Sequence, residues 1–597
     1  MRSSCTATGG RFALIPLVVA ALLGLAGPAA SQPPGGGGVG AFVSSNTGAN
    51  PFVGLNVNQF LGANTFYANG YTGTQAIVAN IEAGLVWNGH ETLTNVNTYI
   101  TGPGTVGAVS GVSAAYDRHA TWVGQAIAGR PVGGAEYQRG IAYGATLWSG
   151  GIATSWNLTA GQYALNFNFN TYNAFYQPYV TATRTGVGGK TADVVNSSWG
   201  FGGDSTGRSA FTVGIDALAR DTGKLFVFSA GNSGSGANTV GGPATGYNVL
   251  SVAAVGADTD ARPYNAVSSF SSRGPQDVFI PTTPTGTTGT TVSGGRIRVD
   301  VAAPGQNLTL AYYGGATGGN AGNAPNGAPN FYSFNTAGTS FAAPTVAGGA
   351  ALMVDVGRQL ALPNATDGRV LKAVLMNAAD KTAGWDNGQA VGGDGVVRTT
   401  QALDPAVGTG RMNLAAAYRY YADPASTRGG TGAAAGGTVT VAGRGYDFAT
   451  ATHAGTPADS TTGYALAPVA PADGSTLSVT LTWFADRRVS SFDNPSGFAD
   501  QKLANLDLEV WSLVGGAFTS KVAESVSPYN NAEHLYLTGL AAGQYGFRVV
   551  YAGDVWNFTG DPTEGYAVAW EFVPAPEPAG LLGLAAVVLV VRRVRVV

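Results

Sequence analysis

The run Gly338-Thr339-Ser340-Phe341-Ala342-Ala343-Pro344 puts one hydroxyl where nucleophilic chemistry is feasible. Small residues lead into Ser340, and Ala342, Ala343, Val346, Ala347, Ala350 and Leu352 predict a helix buried nearly all round. Pro344 suits the first turn of such a helix, where an N–H is not needed. A serine there meets free backbone N–H groups and the positive end of the helix dipole, both of which favour negative charge developing nearby. The plain alternative is an N-cap serine on a core helix. The two readings separate on company, because acyl transfer needs a general base, an acid that orients it, and oxyanion donors.

Only four histidines are available, at positions 90, 119, 453 and 534. His119, in Asp117-Arg118-His119-Ala120-Thr121-Trp122-Val123-Gly124, stands at the start of an apolar helix and is the candidate base. His90 falls in a polar loop, and His453 and His534 lie in a strand-rich C-terminal part.

The elements that must position these residues alternate. Apolar runs at Ala76–Ile81, Asp193–Ser197, Leu225–Ser229, Val249–Val255 and Val299–Ala302 interleave with helical stretches at Thr121–Ala128, Ala210–Asp221, Ser340–Val356 and Arg369–Ala379. That pattern predicts an α/β fold, a mostly parallel sheet with helices on both faces. Two Gly/Thr/Asn-rich insertions, Pro281–Gly295 and Gly314–Pro329, read as surface loops. After a Gly/Ala-rich linker, alternating strands at Leu477–Trp483, Leu506–Trp511, His534–Leu537, Gly546–Tyr551 and Ala567–Phe572 predict an antiparallel β-sandwich.

The residues together resemble a known family. Gly338–Pro344 is similar to the serine motif of subtilisin-like proteases (subtilases), and His119-Ala120-Thr121-Trp122-Val123 to their histidine motif. The segments Asp193–Gly200, Phe226–Gly234, Phe270–Pro275, Val299–Gly305 and Gly408–Asn413 continue the series in the family's order. The resemblance implies a serine endopeptidase in which Ser340 is the nucleophile, His119 the general base and Asn232 a side-chain oxyanion donor. It also implies that Ser198, Trp199 and Gly200 line a cleft for extended peptide, with Ser233 at the base of the specificity pocket. The family's acid is an aspartate; the matching position here, in Ala76-Ile-Val-Ala-Asn-Ile-Glu-Ala-Gly84, is Glu82. Asp117 is its nearby competitor, yet two residues before His119 it should point elsewhere. Ala120 and Trp122 replace a glycine and a second histidine of the usual motif. These departures frame the alternative, a catalytically inactive subtilase-fold surface or matrix-binding protein.

The C-terminal strands resemble the jelly-roll domain attached to some large bacterial subtilases, with Asp507, Glu509 and Glu533 as candidate oxygen ligands for a structural Ca²⁺. No cofactor is expected for the chemistry itself. Residues 1–31 read as a secretory signal peptide, with Arg2 and Arg11 before the apolar stretch Phe12 to Ala26. Residues 574–597 combine Pro-Glu-Pro, a short apolar run and Arg592, Arg593 and Arg595, resembling the PEP-CTERM sorting tail of bacteria. An exosortase-type sorting enzyme is the implied partner, beside protein or peptide substrates. Export to the cell envelope or beyond follows, with membrane contact only through the terminal signals. The expected division is thus signal peptide 1–31, linker 32–45, catalytic domain 46–425, linker 426–440, β-sandwich 441–573 and tail 574–597.

Composition fits a neutral globular protein. Charged residues make up 11%, the formal net charge is −3, and no basic block suits nucleic acid. The single cysteine, Cys5, lies in the signal peptide, so a mature chain would have no disulfide and must rest on its core.

Overall fold

The computed structural model describes residues 17–18 and 55–575, apart from 106–115, 132–138, 158–161, 166–168, 257–263, 287, 314–331, 469–472 and 494–496. The signal peptide, the linker 32–45, the sorting tail and the insertion Gly314–Pro329 fall wholly or almost wholly outside the described residues.

The apolar runs of the first part pair as strands β1 (Ile77–Glu82), β2 (Thr98–Thr101), β3 (Thr146–Gly151), β4 (Val194–Ser197), β5 (Leu225–Ser229), β6 (Leu250–Gly256), β7 (Ala266–Val267) and β8 (Val301–Pro304). Their order is β7-β6-β5-β4-β1-β3-β2, with β8 beside β6. All neighbours are parallel except β7 on β6. Every residue of β5 and β6 is buried, which is why these strands read as unbroken apolar runs rather than alternating ones. Helices α1 (Arg118–Ala128) and α3 (Thr339–Gln359) pack on each other and on the central strands. Helices α2 (Ala210–Thr222) and α4 (Gly368–Asn377) touch both this sheet and the strands of the C-terminal part.

Pro344 departs from the sequence expectation. Helix α3 begins at Thr339, so Pro344 lies inside it, beyond the first turn. Its missing N–H leaves the carbonyl of Ser340 without the usual partner four residues on. The insertion Pro281–Gly295 is also not a loop. Gly289–Arg296 is a mostly exposed strand, antiparallel to the half-buried Gln276–Pro281.

The C-terminal strands form two sheets around one apolar core that includes Trp483, Leu506, Leu508, Phe547 and Trp570. One sheet is extended by the hairpin Ala390–Val391 and Val397–Thr399, where Val397 pairs with Ala523 in parallel. Residues N-terminal to the expected linker therefore already belong to the second sheet. The linker itself is not a free tether. Thr427–Arg428 pairs with Gly445 and Tyr446, and the Thr431 hydroxyl bonds Asp447.

The two parts meet through buried charge. Arg487, 1% exposed, contacts Asp216 at 3.0 Å and Asp500 at 2.9 Å, the latter without hydrogen-bond alignment. Asp216 also accepts from the backbone N–H groups of Tyr247 (2.7 Å) and Asn248 (2.8 Å). Arg208 reaches Asp500 at 2.7 Å, and Asn248 holds Ala485 by both its carbonyl (2.9 Å) and its N–H (2.7 Å). The Tyr247 ring is met by the guanidinium groups of both Arg296 (4.0 Å) and Arg487 (4.6 Å). Desolvating such charges is unfavourable, so the pairing is strongly destabilising to break even where its net worth is small. Arg487→Ala leaves Asp216 and Asp500 without that cation and is expected to lower unfolding free energy by about 3–5 kcal/mol, read from denaturant midpoints.

A second, half-buried cation carries a pH dependence. Lys381 Nζ donates to His534 Nε2 at 2.9 Å and to Thr409 O at 2.6 Å. The other ring nitrogen of His534 meets the Thr480 hydroxyl at 2.8 Å. Burial, only partly opposed by Asp380 and Asp404, pushes Lys381 down to about 7. Burial and the Lys381 charge also hold His534 well below its ordinary value. The unfolded chain therefore binds more protons than the native one from about pH 7 to about pH 10, and stability rises with pH across that window. Lys381→Met is expected to flatten the rise in melting temperature over that range.

Candidate active site

Strand β1 delivers Glu82 to the carboxyl end of the parallel sheet, where open α/β sheets present their ligand crevice. Its carboxylate is 1% exposed, and both oxygens are engaged. Oε2 lies 3.0 Å from His119 Nδ1, and Oε1 accepts from the Ser198 N–H at 2.7 Å.

His119 is the second residue of α1. Asp117 is the N-cap, accepting from the Ala120 N–H at 3.0 Å, and this fixes the rotation at which His119 leaves the helix. Asp117 is thus occupied with the helix and not with the imidazole. Burial alone would pull the His119 pKa down, but the hydrogen bond and charge of Glu82, with Asp117 behind, outweigh it and hold the imidazole above its ordinary value. With Nδ1–H directed at Glu82, Nε2 is left as the proton acceptor. The ring stands between Trp122 (6.4 Å between centroids) and Phe341 (6.0 Å), which meet edge to face at 5.7 Å. The buried Trp122 indole N–H has no acceptor among the described residues.

Ser340 is not a cap. Gly338 occupies that position, and the Ser340 hydroxyl donates across the fold to the Ser198 carbonyl at 3.0 Å. It makes no hydrogen bond to His119 here. Such bonds are commonly long in free enzymes and tighten when substrate arrives.

Asn232 follows β5 by way of Ala230 and Gly231. Gly231 has φ +108°, and a Cβ there would come within 2.9 Å of the Ser272 hydroxyl, so the turn requires glycine. Asn232 Oδ1 accepts from both the N–H (2.9 Å) and the hydroxyl (3.1 Å) of Thr339. Because the Thr339 N–H can only donate, the bonded atom must be the amide oxygen, which leaves Nδ2 as the free donor beside the start of α3. Thr339 Oγ1 also receives the Gly231 N–H at 3.1 Å. Sequence reasoning passed over Thr339; its place between Gly338 and Ser340 was the only signal.

Ser198 links the site. Its N–H serves Glu82, its carbonyl takes the Ser340 hydroxyl, and its own hydroxyl accepts from Asn196 Nδ2 at 3.1 Å. The Trp199 ring turns into the core against Phe175 and Phe228 and donates to the Ile81 carbonyl at 3.2 Å. Gly200 approaches Gly242 so closely that a Cβ would sit 3.0 Å from its carbonyl oxygen. Ser233 donates its N–H to the Ser272 hydroxyl at 3.0 Å and is exposed.

The candidate calcium ligands are not gathered into a site. Glu533 is buried and takes both the Ser525 and Ser527 hydroxyls, while Glu509 pairs with Lys521 at 2.5 Å. Asp507 is pushed up to about 7 by burial, then by Glu509 and Glu524. A carboxyl that tends to hold its proton is a poor Ca²⁺ ligand. Among the described residues no group of three or more His, Cys, Asp or Glu is arranged for a metal. Of the remaining histidines, His90 is buried with Nδ1 2.9 Å from the Thr92 hydroxyl, and His453 lies against Tyr551.

Residues 105–394, which include His119, Asn232 and Ser340, match the family described as the Subtilase family. The match supports a subtilisin-like serine peptidase. It begins after Glu82, so the acid position lies outside it. The paired geometry makes one expectation independent of turnover. His119 should titrate by NMR above the ordinary histidine range near 6.5, and Glu82→Gln should move it down, since the variant keeps a hydrogen-bonding side chain but loses the charge.

Proposed function

We propose that the chain is an exported serine endopeptidase that hydrolyses peptide bonds through an acyl-enzyme. The observation that carries this reading is one continuous hydrogen-bond path. It runs from His119 through Glu82 to the Ser198 N–H, and from the Ser198 carbonyl to Ser340.

In this reading a substrate strand lies along Ser198-Trp199-Gly200, and its arrival turns the Ser340 hydroxyl from the Ser198 carbonyl to His119 Nε2. Ser340 attacks the scissile carbonyl as His119 takes its proton. The oxyanion is met by Asn232 Nδ2 and the Ser340 N–H. Glu82 stabilises the imidazolium, which then protonates the leaving amine as the carbon–nitrogen bond breaks. Water, deprotonated by His119, attacks the ester, and Ser340 leaves with the proton returned. His119 must be neutral to start, so its raised pKa places the acid limb of activity above the ordinary histidine range. Ser233 forms part of the pocket for the residue before the scissile bond. The N-terminal apolar segment and the Pro-Glu-Pro tail direct export and sorting at a bacterial envelope, and the C-terminal strands are an attached β-sandwich.

Ser340→Ala is expected to lower kcat on a peptide substrate by roughly 10⁶-fold. Asn232→Ala should cost roughly 10²–10³-fold with little change in KM, because its donor acts on the oxyanion rather than on bound substrate. Labelling of Ser340 by a fluorophosphonate reports the activated hydroxyl directly. Equal hydrolysis by wild type and Ser340→Ala, with no labelling, would reduce the scaffold to a non-catalytic surface protein.

A further inference from the structure

One cation beside the site has no acidic partner among the described residues. Arg118 immediately precedes His119, is partly exposed, and makes no ion pair or hydrogen bond among the described residues. The carboxylate beside it in sequence and the one bonded to the adjoining His119 are already engaged. Asp117 caps α1, and Glu82 is shared by His119 and Ser198. What holds Arg118 is the face of Trp122, with the guanidinium carbon 5.0 Å from the ring centroid. A guanidinium stacked in this way keeps its planar fork of donors ordered and available to a carboxylate.

The chemistry says which half of a substrate passes this cation. The acyl half stays on Ser340 and runs along the Ser198–Gly200 segment, whose Trp199 ring packs on Phe175 and Phe228. The departing half leaves with the proton from His119 Nε2. His119 is flanked by Trp122 and Phe341, which contact the imidazole and each other but make no ring contact with Trp199. Trp122 is 9% exposed and Phe341 3%, so this flank is a closed aromatic wall with Arg118 at its rim. A charge over a low-dielectric wall acts more strongly on a neighbour than one in open water.

We infer that Arg118, stacked on Trp122 beside His119, selects substrates carrying an acidic side chain just after the scissile bond. The inference rests on the peptidase reading of the same site. The carboxylate of the departing fragment pairs with the Arg118 guanidinium, an interaction available in both the bound peptide and the transition state. It therefore acts on kcat/KM mainly through KM.

The test uses the full chain and matched peptides that differ only in Glu or Lys at the first and second positions after the cleaved bond, with the cut located by mass spectrometry. At low salt the wild type is expected to cleave the Glu peptide about fivefold faster in kcat/KM than the Lys peptide, a preference that fades at high salt. Arg118→Lys should retain most of that ratio, Arg118→Ala should bring it near one, and Arg118→Glu should invert it. A role in packing alone would not follow the sign of the charge. The same Glu-to-Lys ratio in all four proteins would overturn the assignment while leaving the peptidase intact. Wild-type cleavage no faster than that of Ser340→Ala on every peptide would instead remove the peptidase reading, and this inference with it.

Discussion

A carboxylate held 1% exposed at the end of a parallel strand is the constraint from which the site follows. An ionised group in that position is strongly unfavourable unless its oxygens are bonded. Glu82 meets the requirement with one imidazole and one backbone N–H. The first contact sets the His119 tautomer and raises its proton affinity. The second fixes the peptide of Ser198, whose carbonyl receives the Ser340 hydroxyl. Glu82, His119 and Ser340 are thereby tied to one peptide unit on β4's continuation. The bonds that satisfy the buried charge are the same ones that hold these three side chains together.

A similar economy operates at Thr339. One residue binds the amide oxygen of Asn232 twice and the Gly231 N–H once. Orientation of the donor is thus decided by the residue adjoining Ser340, so the two sides of the expected oxyanion site cannot drift apart independently. The same principle governs the junction of the two parts. Arg487, Asp216 and Asp500 are buried together, and Asn248 clasps the Ala485 backbone. With α2 and α4 touching both sheets, the C-terminal strands cover polar groups that would otherwise have to be hydrated. A single cysteine cannot form a disulfide within the chain, so this buried network and the apolar cores carry its stability.

Much of this was legible in local pattern. The five buried runs and four helices of the α/β part appear within a few residues of their expected limits, because burial on both faces leaves an unmistakable apolar signature. Where pattern misled, the cause was nonlocal. Pro344 looked like a first-turn residue because helix starts are imprecise from sequence, and here Gly338 rather than a later residue is the cap. The ribbon Gln276–Arg296 hid in a Gly/Thr-rich stretch that gives no core-facing alternation, since most of its second strand faces solvent. Asp507, Glu509 and Glu533 are alike in sequence as acidic residues on strands, and their separate partners, hydroxyls for Glu533 and a lysine for Glu509, come only from the tertiary structure.

The sequence by itself determined that Ser340 opens a buried helix, that His119 starts another behind an aspartate cap, and that parallel strands carry the intervening segments. Those features depend on residues within one or two turns of each other. Only the tertiary structure decided that Glu82 spans to His119 despite its extra methylene, that Ser198 joins Glu82 to Ser340, that Thr339 turns Asn232, and that Arg118 rests on Trp122 with no ion pair among the described residues. These contacts link positions tens to more than a hundred residues apart, except for the last. Their ångström-scale distances are set by strand register and helix packing, which no local pattern of residues encodes.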